Sequence, residues 1–439
     1  MPDWIKPTDG MQITHDTLFV PGTYFLPHGI EIAADHVTLD GNGALLIGDD
    51  FQGRGVRVNQ RTGVTLKNLR VERYYHGLWV NASANVHVQS NAVTRTHELR
   101  GPDVFLDVWL DRSKAYGGGI FMSGVIDSFI LDNDVQHQQN GILLYGCNNV
   151  EVARNNASFN SGYGLLLYES SQNTLDHNTA DFCCRIYHDE PSGEKYHNGA
   201  DAAGLVIMCS SSRNVVTHNR LRGGGDGVFL GGFHKDNLKV PCNDNLFEHN
   251  DGSFSPNIAF EATFSQRNIF RANRADNCNY GFWLGYSSAT TVEDNSIRAN
   301  RTAGVAIEHG HDNVIAANTF ERNREGVQLW VSARPAFADY FPDCAESYNT
   351  TLRANTFNRH ERAVHAWTER PAGGPLARRL HHLTCVENTI SDNRIGMALE
   401  RVRESVVQAN RIVSNPEAGV MLLGCQDVKV EANELDQAE

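Results

Sequence analysis

P-N-I-A-F-E-A-T-F-S-Q-R-N-I-F-R-A-N (residues 256–273), Y-G-F-W-L-G-Y-S (280–287), A-G-V-A-I-E-H-G-H-D-N-V-I-A-A-N (303–318) and E-G-V-Q-L-W (325–330) say one thing four times, at steps of 22 to 24 residues. Each copy opens on a Gly, or on Asn257 in one case, and continues as a short alternating apolar run. Most copies then place an Asn before a second apolar run and another after it. Runs this short and this regularly punctuated read as strands rather than helices.

The same register extends outward through the chain. A Gly precedes an apolar run at Gly29, Gly55, Gly77, Gly119, Gly141, Gly164, Gly204, Gly227, Gly281, Gly304, Gly326, Gly396 and Gly419, with Asn257 and Ala363 in the two remaining places, which gives about fifteen coils. A fixed period of this length marks a solenoid, which grows in one dimension around a single continuous core. Asn recurs at the turns, as at Asn268, Asn273, Asn313 and Asn318. It tolerates left-handed backbone and bonds neighbouring peptide groups, so stacked coils should carry Asn ladders inside their corners. A propeller or sandwich needs longer antiparallel strands and Asn-Gly hairpins, which are scarce here. The expected fold is all-β, a single-stranded right-handed parallel β-helix. It forms one domain, with residues 1–28 as a cap, 29–428 as coils with loop insertions, and 429–439 as a polar tail.

The opening run V-P-G-T-Y-F-L-P-H-G-I-E-I-A-A-D-H-V-T-L-D-G-N-G-A (20–44) resembles the first coils of the pectin-lyase-like superfamily, in its NosD-type, carbohydrate-binding and sugar-hydrolase branch. The resemblance spans nearly the whole chain and implies a right-handed helix, as does the crossover rule. It implies no single activity, because that superfamily holds hydrolases, lyases, epimerases and non-enzymes. The polygalacturonase motifs and the mannuronan epimerase Y-G-F-D-P-H motif are absent, so no catalytic assignment carries over.

Apolar residues make up 41% of the chain, enough for a packed interior, and the net charge is −14. Nucleic acid and anionic membrane surfaces are therefore poor partners. A polyanionic polysaccharide is disfavoured too, unless a local basic patch overrides the global charge. The nine cysteines include no C-x-x-C pair, and no basic-then-apolar leader or long apolar run is present. These features point to a cytoplasmic protein with reduced thiols, or to a periplasmic or extracellular one if a leader has been removed.

Five steps exceed the repeat. Extra residues fall before the glycine at 92–118 and 180–203, and after the first strand at 232–244, 331–348 and 368–384. Both places flank the strand that follows Gly, so loops should wall one face and make it the floor of a groove. Trp109, Tyr187, Phe233, Phe337, Tyr340 and Phe341 in these loops argue for packing.

Strand side chains alternate with a period of two. In G-V-A-I-E, Val305 and Ile307 point in, while Ala306 and Glu308 point out. Counting four residues from each Gly, with Asn257 taken as one, aligns Tyr168, Glu261, Gly285, Glu308, Trp330, Trp367 and Glu400 on the outer face. Counting two adds Trp79, Phe121 and Trp283. Such a face suits stacking on sugar rings. Glu261 and Glu308 then stand two coils apart across Gly285, about 9–10 Å at coil spacing. That is near the upper end of the roughly 6.5–9.5 Å that inverting glycosidases leave between carboxyls.

The expectation is a carbohydrate-binding glycoside hydrolase that uses Glu261 and Glu308 as acid and base, with order unassigned. Asp226 and Asp201 are second candidates. Trp283, Tyr286, Trp330 and Tyr168 form the sugar platform, and His309, His234 and Arg267 supply hydrogen bonds. A polysaccharide lyase or epimerase with Lys235 or His309 as base is the alternative. A non-catalytic carbohydrate- or metal-binding solenoid is the third reading. Glu308-His309-Gly310-His311-Asp312 contains metal-type residues, but in a turn that does not converge them. The main reading requires neither cofactor nor metal.

Overall fold

The computed structural model describes residues 4–99, 106–189, 195–198, 202–370 and 378–435. The chain divides into two compact units, Met1–Val228 and Phe229–Glu439. Each is a parallel β-helix. In the first, the strands Ile30–Ile32, Arg54–Asn59, His76–Asn81, Gly118–Ser123, Ile142–Tyr145, Tyr163–Tyr168 and Ala203–Met208 pair in series, all parallel. In the second, Ile258–Thr263, Tyr280–Trp283, Ala303–Glu308, Glu325–Val331, Arg362–Thr368, Ile395–Glu400 and Ala418–Leu423 do the same. We call these the glycine-face strands. The terminal segments continue the coils: Gln12–Ile13 pairs with Glu31 and Ile32, and Gln426–Glu431 pairs with Arg403–Gln408.

The glycine column has a steric cause. A Cβ built on Gly281 lies 2.5 Å from the Gly304 carbonyl oxygen, and one on Gly304 lies 2.6 Å from that of Gly326. The chain bends there onto the next coil's backbone, and a larger residue would have to move it.

The Asn ladders form as expected. In the second unit each side-chain amide donates to the next coil's Oδ1, from Asn250 to Asn273 (3.1 Å), Asn295 (3.1 Å), Asn318 (2.9 Å) and Asn355 (3.0 Å). The ladder continues through Asn388 to Asn410. The left-handed residue is the one before the ladder Asn, at Ala272, Asp294, Ala317 and Ala354, with φ of 53–56°. A non-glycine residue held there costs roughly 1–2 kcal/mol, and the buried amide bonds beside it offset that cost. Between the ladders the core is filled by stacked rings, among them Phe247 on Phe270 (4.6 Å) and Phe320 on Phe357 (4.6 Å).

Among the described residues no cysteine is in a disulfide. Burial pushes the thiols of Cys147, Cys183, Cys278, Cys344 and Cys385 up to about 12, which leaves them unreactive core residues.

Candidate functional site

The site is built on the outer face of the second unit's glycine-face strands. Ladder register sets its geometry. Ile258 pairs with Tyr280, Phe260 with Phe282 and Glu261 with Trp283, and Trp283 pairs in turn with Ala306. Glu308 pairs with Trp330, Trp330 with Trp367, and Trp367 with Glu400. Two outward columns result. One runs Glu261, Trp283, Ala306, Gln328, His365; the other, two residues further along, runs Glu308, Trp330, Trp367, Glu400.

This corrects the expected alignment of Glu261 with Gly285 and Glu308. The residue in the glycine column of this coil is Ala259, not Asn257. The two carboxylates are therefore offset along the strand as well as across coils. Two coil spacings of ~4.8 Å and two residues of ~3.3 Å put their Cα atoms roughly 12 Å apart. Gly285 does not hold an empty gap either. A Cβ there would lie 3.5 Å from Trp283 Nε1 and 3.9 Å from Glu308 Cβ, so the missing side chain makes room for the indole.

Trp283, Trp330 and Trp367 are half-buried and present ring surface outward. Trp330 stacks on Trp367 at 5.3 Å and 6°, and Trp283 meets Trp330 edge-on at 5.6 Å. His365 lies on Trp367 at 4.2 Å and approaches Glu400 at 3.4 Å. Trp367 and Glu400 stand in the outward column that the alternation predicts, and His365 stands in the column beside it.

The carboxylates differ. Glu261 keeps some exposed surface, but the protein packed around it strips its solvation and pushes the carboxyl up to about 8, against the opposing pull of a Thr263 hydrogen bond. It holds its proton at neutral pH. Glu308 accepts a hydrogen bond from the Ser332 hydroxyl. The backbone N–H of Ser332 donates to His309 Nε2 at 3.0 Å. Ser332 thus fixes both residues, and nothing in its sequence context marks it.

Several expected site residues serve the walls instead. His309 is fully buried, and loss of solvation lowers its pKa to about 4, so it is neutral and offers no surface to a sugar. Tyr286 is 5% exposed and sandwiched between Phe264 (5.3 Å) and His309 (5.0 Å). Phe337 and Phe341, from the loop after Val331, close over that stack. Arg267 is held by Asp244 at 2.7 and 3.0 Å. His234 faces its own turn, where Asp236 N–H donates to Nδ1 at 3.1 Å, and Lys235 is exposed. Arg267 and His234 are thus engaged separately, and Lys235 stands at an exposed position of the His234 turn. In the first unit, Tyr168 is buried with its hydroxyl on the Trp109 carbonyl at 3.3 Å, and Asp226 is 1% exposed. Asp201 lies outside the described residues.

Among the described residues two groups bring histidines and a carboxylate together: Asp176, His177 and His218 in the first unit, and His381, His382 and Glu404 in the second. In the first group, His177 Nδ1 lies 2.7 Å and His218 Nδ1 3.3 Å from the Asp176 carboxylate. The rings stack at 4.7 Å and 12°. In the Glu308-to-Asp312 run, His311 Nδ1 contacts Asp312 at 2.7 Å while His309 is buried away from it, so the run does not converge on one point.

Among solved structures, the A-module of the Azotobacter vinelandii mannuronan C-5 epimerase AlgE6 is similar at 12% identity over 98% of this chain and 92% of its own, with a TM-score of 0.43. The GH136 lacto-N-biosidase from Eubacterium ramulus is similar at 10% identity, 91% and 63% coverage and a TM-score of 0.42. The Dettilon tailspike protein is similar at 11% identity and a TM-score of 0.42, and this chain, 93% covered, spans 62% of it. No curated protein sequence matches. The family model described as periplasmic copper-binding protein (NosD) matches residues 32–238, 192–365 and 341–439. The matched segments leave out only the first coil, and the chain belongs to that family, NosD.

Proposed function

We propose that the protein binds a carbohydrate on the Trp283, Trp330 and Trp367 face of the second unit and hydrolyses a glycosidic bond there. The supporting observation is Glu261, a partly accessible carboxyl that burial pushes toward its protonated form, beside the half-buried Trp283, which meets the Trp330–Trp367 stack edge-on. Aromatic faces bind sugar rings, and a protonated carboxylic acid can protonate a leaving oxygen. Glu308 is the partner carboxyl. From Cα atoms roughly 12 Å apart, two glutamates can bring their carboxyls within the ~6.5–9.5 Å that admits a water, the inverting arrangement. Glu261 donates the proton to the leaving group, and Glu308, oriented by Ser332, receives one from the water.

A glycan panel with reducing-end detection tests this. Cleavage of at least one glycan that is lost in both Glu261→Gln and Glu308→Gln supports it. Full turnover in either variant sinks it. A product absorbing in the near ultraviolet would instead identify a lyase.

A second reading is metal binding, favoured by Asp176, His177 and His218. Two imidazole nitrogens and a carboxylate oxygen form a donor set suited to Cu(II) or Zn(II), so these residues fit the metal that the family's description names. They would hold it at the first unit's surface. Copper titration followed by electron paramagnetic resonance, repeated on His218→Ala, tests it: loss of nitrogen hyperfine structure supports the site, and an unchanged spectrum excludes it. The family's description also favours a periplasmic location over the cytoplasmic one expected from the thiols. The buried thiols are compatible with either.

A further inference from the structure

The first unit carries a pocket of its own. It has a volume of about 530 Å³ and is lined by Arg54, Trp79, Asn81, Arg112, Lys114 and Ser123, among others. In a chain of net charge −14, three cations line this pocket and no carboxylate does. None of the three forms an ion pair among the described residues. The nearby Asp111 carboxylate is turned to the Ser113 N–H and hydroxyl.

The pocket is built rather than incidental. Arg54 lies with its guanidinium carbon 3.6 Å from the Trp79 ring centre, a cation–π contact that holds the fork in place while its edge stays available. Desolvation and the neighbouring Arg57 both disfavour its charge. Ser123 is 2% exposed, lines the pocket, and its hydroxyl has no partner. Buried hydroxyls without partners are uncommon and costly. Three positive charges lining one pocket without a carboxylate on its wall, beside an unmet hydrogen-bonding group, are what an oxyanion relieves. The volume lies within the range of small-molecule sites and exceeds what a bare ion fills.

We propose that this pocket binds an acidic saccharide, with a carboxylate or sulfate on the sugar held by Arg54, Arg112 and Lys114 and a ring oxygen or hydroxyl met by Ser123. It supplies the local basic patch that the overall charge argues against, and it stands independently of the hydrolytic reading.

Calorimetric titration of the full chain with glucuronic acid, glucose 6-sulfate, glucose and sodium sulfate tests it. Binding of glucuronic acid or glucose 6-sulfate, weakening as salt rises, is expected; whichever binds identifies the acidic group. The double variant Arg112→Met/Lys114→Met changes only exposed loop residues and should weaken that binding at least tenfold. Ser123→Ala should weaken it by a smaller factor. Binding of glucose as tight as that of the acidic sugars, sulfate ion alone binding as tightly, or unaltered binding by the double variant overturns the proposal, as does the absence of binding by both acidic sugars.

Discussion

On the sheet that follows each glycine, the later coils of the first unit and the coils of the second treat the same outer face in opposite ways. In the first, Leu143, Leu166 and Val206 are 1–2% exposed although they point outward. Residues 106–116 pass over that face and are tied to it: Tyr75 and Tyr168 donate hydroxyls to the Ala115 and Trp109 carbonyls. In the second, the loop after Val331 gathers instead over the turn column of Phe264, Tyr286 and His309. The two columns carrying Glu261, Glu308 and the tryptophans stay partly open. An identical strand pattern thus makes a sealed layer or an accessible floor, depending on where an inserted loop finds partners.

The largest expected effect breaks that contrast at its chemical end. Glu261→Gln should lower kcat by about 10²–10⁴, the usual contribution of a general acid, with an unchanged thermal transition; turnover on the cleaved glycan checks this. Activity of the native protein should fall as pH rises through about 8, where Glu261 loses its proton. Next, Asn318→Ala should cost about 2–4 kcal/mol, because it strands buried partners on both neighbouring coils; a denaturant titration measures it.

Acid should also weaken the fold. His309, His360 and His365 are buried with pKa values lowered to about 4, mainly by desolvation. The unfolded chain binds more protons between roughly pH 6.5 and 4, so stability falls as pH falls through that window. Melting temperature against pH should decline there, and His309→Gln should flatten part of the decline.

Smaller effects sharpen the comparison of faces. Trp330→Ala or Trp367→Ala should weaken glycan binding by about 1–2 kcal/mol, the scale of a lost aromatic contact, whereas Tyr168→Phe in the sealed face should leave it unchanged. Titration of the three variants separates them. Smallest of all, Gly285→Ala should alter kcat/KM less than about twofold, since its Cβ meets only ordinary contacts at 3.5 Å or more and a shift this slight lies within ±0.5 kcal/mol. A large loss would restore Gly285 as a gap for substrate.

The parallel β-helix, its glycine column and its Asn ladders were legible because each coil repeats the same local demands. A glycine is needed where backbone meets backbone, an amide where buried peptide groups turn, and an apolar residue at every second place between. Even the misplaced coil carried its signal: Ala259, not Asn257, is the small residue two places before Glu261, and the tight column requires smallness. What the chain alone could not decide is which outward residues remain outside. Tyr168 follows the same alternation as Trp330, and Tyr286 and His309 stand in the turn one residue beyond that column; packing by distant segments buries all three, and Trp283 leans into the space that Gly285 leaves. Period and polarity are set by neighbours along the chain. Exposure, side-chain lean and the proton on Glu261 are set by segments that meet only once the coils have stacked.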